Sequence, residues 1–158
     1  MFTVRATGIA ALLLFMGLAV YLSPLQPNIV ALQFAFNAEA FRTILGQWGP
    51  EGVALFRPHL PVDVVLLVAY GTFGYLLTTR TRVFAEYTSL WRLRVAVLMP
   101  VAAVADAAED LLHWYLTGGH LGGAGLLVPI ASAYSALKFA GIAFFGLAVL
   151  HARFIAQR

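Results

Sequence analysis

The chain contains no cysteine, so disulfides, thiolate metal centres, iron–sulfur clusters and thiol redox chemistry are excluded. Charge is also scarce. Asp, Glu, Lys and Arg together make up 11% of 158 residues, and Lys138 is the only lysine. Net charge is +3, but no block of basic residues interleaves with aromatics, so nucleic acid is not an expected partner. The glycine-rich stretch at 118–123 follows no strand pattern and reads as a tight hairpin between helices, not as a phosphate loop. No internal repeat is evident, and the length suits one domain.

What the chain has instead is apolar surface. Hydrophobic residues make up 61% and mean hydropathy is +0.86, more than a core of this size can bury. Four apolar runs, 6–22, 60–78, 95–116 and 126–150, each approach the ~20 residues a helix needs to cross ~30 Å of hydrocarbon. The first also resembles a signal-peptide core behind Arg5, with a possible cleavage site at Gly17–Ala19, but its length favours a retained span.

The arginines orient these runs. Arg5 precedes the first, Arg80, Arg82, Arg92 and Arg94 separate the second from the third, and Arg153 and Arg158 follow the fourth. The long first connection carries only Arg42 and Arg57, offset by Glu39 and Glu51. Both termini are therefore expected in the cytoplasm. The expected fold is all-α, one integral membrane four-helix antiparallel bundle across residues 1–158 of a plasma (inner) membrane. Residues 24–59 are expected to form an extracytoplasmic helical cap. In that cap, Asn37 suits the N-cap of one short interfacial helix, and Pro50 opens a second after the "GPEG" break.

The third run contains the least expected residues. Asp106, Glu109, Asp110 and His113 follow i, i+3, i+4, i+7 spacing, which puts them within an arc of about 100° on one helix face. A charge at the centre of a bilayer costs at least ~2.5–3.5 kcal/mol on insertion scales, so this face should point into the protein. Lys138 lies at the middle of the fourth run. At 1.5 Å per residue, Asp106 and Lys138 are both roughly 15–18 Å from the hairpin end, and they are expected to pair. Glu109 and Asp110 are left without a second lysine.

Asp63, Tyr70 and Gly74 share a face of the second run, while Tyr134 and Ser135 flank Lys138. Gly71, Gly74 and Gly141 offer close helix approach. The expected ligand-binding set is therefore Asp63, Tyr70, Asp106, Glu109, Asp110, His113, Tyr134 and Lys138. Within it, Glu109, Asp110 and Tyr70 are the candidates for acid–base catalysis. His59, Asp110 and His113 could contribute to a metal site. Bundle di-iron centres, however, use paired Glu-x-x-His motifs, and here Asp110-x-x-His113 stands once, so no metal is assigned. No cofactor is assigned either.

Trp48–Gly52 ("WGPEG"), Asp63 with Tyr70-Gly71, and Asp106-x-x-Glu109 resemble small uncharacterised bacterial four-span integral membrane proteins. The resemblance covers about half the chain and implies four spans but no activity. Where such proteins carry Asn after the Glu, this chain has Asp110. Sterol-isomerase-like membrane proteins of EXPERA-type layout are similar in span count and buried acids, without a motif that aligns.

The expected function is that of a non-catalytic accessory subunit, or a small-molecule- or lipid-binding component of a membrane complex. Its partners would be the lipid bilayer and other proteins or further copies of the chain. Alternatives are a membrane-embedded acid–base enzyme acting on an apolar substrate and a proton-linked transporter working as an oligomer.

Overall fold

A computed structural model describes residues 2–155, so Arg158, used above for orientation, lies outside the described residues. The fold is all-helical, with no strand among the described residues. Its helices are α1 (Phe2–Tyr21), α2 (Ile29–Gln33), α3 (Ala38–Phe56), α4 (His59–Arg80), α5 (Ser89–Thr117) and α6 (Ala124–Ile155). A 3-10 turn, Leu121–Gly123, joins the last two. By length and composition, α1, α4 and the segment holding α6 are apolar enough to cross a membrane. The long helices extend beyond their apolar runs, because charged and polar flanks such as Arg92 and Arg94 continue the helix.

The main packing runs α1 on α4, α4 on α5 and α5 on α6. Each pair is antiparallel. Gly8 meets Phe73 across α1 and α4, Gly71 meets Ala103 across α4 and α5, and Gly141 meets Ala102 across α5 and α6. Small residues set these approaches. A Cβ at Gly74 would overlap the Met99 side chain, so glycine lets α5 close on α4.

The segment between α1 and α4 forms a cap on the end of the molecule where α5 turns into α6. Asn37 starts α3 as expected, its side chain accepting from the Ala40 N–H at 2.8 Å. The chain kinks at Gly49 (φ 63°, ψ −176°), a conformation open essentially to glycine alone, and Pro50 opens the second half. The cap has one more element than expected: α2, capped by the Asn28 side chain at 3.1 Å from the Ala31 N–H. Five residues are too few for a periodic signal.

Cap and helix ends share one core, with Leu25, Leu32, Phe41, Trp48 and Phe56 against Leu60, Leu116 and Val128. Trp48 Nε1 donates to the Pro27 carbonyl at 2.6 Å. Arg57 Nη1 donates to the Trp114 carbonyl (2.9 Å) and Thr117 Oγ1 (3.0 Å), while Arg42 reaches the Leu121 carbonyl at 3.2 Å. At the opposite end, around the α4–α5 connection, lie Arg80, Arg82, Arg92 and Arg94. There too the Tyr87 hydroxyl is hydrogen-bonded to His151 Nδ1.

Candidate functional site

Helix α5 is polar on its inner side and apolar on its outer one. Asp106, Glu109, Asp110 and His113 are buried against α4 and α6, while Val97, Val101, Val104 and Leu111 are exposed. The four-residue stripe read from spacing therefore does point inward.

Lys138 of α6 closes on it. Its Nζ lies 2.6 Å from Asp106 Oδ1 and 2.7 Å from Glu109 Oε2, in a residue 5% exposed. The expected Asp106–Lys138 pair is present. Glu109, expected to lack a lysine, shares the same one: the flexible stem of Lys138 reaches between carboxylates one helical turn apart. Tyr70 of α4 donates its hydroxyl to Asp106 Oδ2 at 3.1 Å, so each Asp106 oxygen has a partner. His113 Nδ1 stands 3.6 Å from Glu109 Oε1. Ser135, also buried, donates to the Ala131 carbonyl at 3.1 Å.

Aromatic rings from the cap cover the outer side of the stripe. Phe41 stacks on His113 with centroids 5.9 Å apart, and Phe56 meets His113 at 6.1 Å and His59 at 4.6 Å. His59 Nδ1 is hydrogen-bonded to the Phe56 carbonyl. Both histidines are buried, so His113 belongs to the interior and not to an interfacial aromatic belt. Phe41 and Phe56 are the members that sequence reading did not assign. Their signal was the apolar face of the cap helices, but contact with His113 spans 57 residues or more and leaves no local trace.

Asp63, of α4 and half-buried, joins the stripe: one ligand-capable atom each of Asp63, Asp106 and Asp110 lies within 4.8 Å of the others. This group of three includes neither His59 nor His113, so the imidazole–carboxylate metal set considered from sequence is not the one assembled. Tyr134, one helical turn before Lys138 on the same side of α6, is 37% exposed.

Two open grooves lie elsewhere on the molecule. One, about 590 Å³, lies along the α3 kink beside Gly49, Val53 and Arg57, and the other, about 410 Å³, lies between α1 and α4 beside Leu14, Leu18 and Val62. Compared with protein-family models, curated proteins and solved structures, the chain matches none.

Proposed function

We propose that the protein is a multi-pass inner-membrane protein, a four-helix antiparallel bundle of α1, α4, α5 and α6 with both termini cytoplasmic. Within the membrane it would act as a non-catalytic component of a larger assembly. The observation that carries this reading is the inverted pattern of α5. Asp106, Glu109, Asp110 and His113 are buried beside one another in its second half, while Val101, Val104 and Leu111 face outward. That arrangement suits a lipid solvent, in which intramembrane charges face the protein interior and pair.

The clamp on Lys138 supports a holding role for the stripe. A lysine gripped by two carboxylates, with Tyr70 on one of them and aromatic rings above, fixes α4, α5 and α6 in register.

The test is native purification in mild detergent from the source cell, followed by mass determination of the particle. An accessory component migrates with a stoichiometric partner protein. A monodisperse single chain, with or without bound lipid, would overturn that part of the reading.

A further inference from the structure

The ionisable cluster has two unequal halves. One is neutralised in place: Lys138 lies between Asp106 and Glu109. The other is not. One ligand-capable atom each of Asp63, Asp106 and Asp110 lies within 4.8 Å of the others, and the cluster's single ammonium is already held by the first half. Four carboxyl groups share one lysine.

A second observation is independent of this clustering. Asp110 is 8% exposed, and its Oδ2 is buried with no hydrogen-bond partner among the described residues. A buried carboxyl oxygen without a partner is costly to leave unmatched. Asp63, by contrast, is half-buried and connects the group to the outside.

We propose that Asp63, Asp106 and Asp110 form a binding site for a hard divalent cation of the calcium class, completed by water on the Asp63 side. The donor set is all carboxylate oxygen, which selects hard cations over zinc or copper. Oxygens bound to calcium at ~2.3–2.6 Å can stand up to about 5 Å apart, so the 4.8 Å limit within this group needs little adjustment. Calcium accepts irregular geometry and several waters, as a site supplied by only two helices requires.

Lys138 is the obvious objection, because it already holds Asp106. Its second anchor answers this: with Nζ 2.7 Å from Glu109 Oε2, the lysine can stay paired while Asp106 turns an oxygen to the ion. A lysine with two carboxylate partners can release one. The site goes beyond the accessory reading and does not depend on it, since cation binding is measured on the isolated chain.

The experiment is calorimetric titration of calcium chloride into chelator-treated, full-length protein in lipid nanodiscs, with empty discs as the blank. One saturable site per chain is expected, with a rise in Tm. Asp63→Asn and Asp110→Asn each retain side-chain shape and should weaken binding by about 10-fold or more. Glu86→Gln, in the α4–α5 connection, should bind as the parent does. Thermal melts of the calcium-free variants establish that they fold. No saturable heat in the parent chain overturns the proposal, as does unchanged affinity in both folded aspartate variants, which would place the ion at another site.

Discussion

Lys138 and its two carboxylates are the residues on which most of the interior depends. Removing one partner of a buried pair leaves an uncompensated charge and costs about 3–5 kcal/mol. Lys138→Met strands both Asp106 and Glu109, whereas Asp106→Asn leaves the lysine its Glu109 anchor at 2.7 Å. Lys138→Met is therefore expected to be the more destabilising change, and the double variant should recover part of the summed loss. Equilibrium unfolding in mixed micelles measures all three, and strictly additive losses would sink the direct pairing. The Asp106 part of this pair was legible because a lone lysine and the most central of three acids stood at equal depth beside a short hairpin. Glu109 as second partner was not, since helical periodicity gives a residue's face but not how far a four-carbon side chain can swing.

Among the elements, α3 and α4 carry the tightest backbone constraints. Gly49 holds the α3 kink at φ 63° and ψ −176°, so Gly49→Ala is expected to cost about 1–3 kcal/mol through strain alone, since nothing lies within 4 Å of the added methyl. Gly74→Ala fails for the opposite reason: the backbone is helical and the space is occupied by Met99. A loss of about 1–3 kcal/mol is expected, and Met99→Ala should relieve part of it. Gly17→Ala, with open space at the same distance, should change stability little. Thermal melts of the set distinguish these cases, and equal effects at positions 17 and 74 would contradict the α4–α5 approach. The long helices were readable from their apolar runs, and the start of α3 from Asn37. The five-residue α2 was not, because its stability comes from burying Leu32 under the cap and not from its own sequence pattern.

At the scale of the whole molecule, the two ends differ in charge. The capped end carries Arg42 and Arg57, both tied to backbone carbonyls of the α5–α6 end, and the other carries the arginines flanking the α4–α5 connection. On the proposed topology, with both termini cytoplasmic, a cysteine at Gln47 should label with an impermeant maleimide from outside. A cysteine at Arg82 should label only after the membrane is opened. Labelling of both from one side would reject this topology. Sequence reading proposes this arrangement from arginine positions, which act at the ends of helices. It did not reach the seating of Phe41 and Phe56 on the buried histidines, which depends on how the cap folds back over α4 and α5.

The inverted face of α5 also bears on how the protein is made. Alone among the four long helices, α5 is outside the set apolar enough to span by composition, because it carries three acids in its second half. Its counter-charge lies on α6, so it leaves the ribosome later. If the chain enters a bilayer, α5 has nothing to neutralise Asp106 and Glu109 until Lys138 has been synthesised. The two helices would then have to partition together as a hairpin, with α5 waiting in a wet or chaperoned setting. A chain truncated at Gly123 should accordingly leave α5 unintegrated and exposed to proteolysis, and appending α6 should rescue it only while Lys138 is retained.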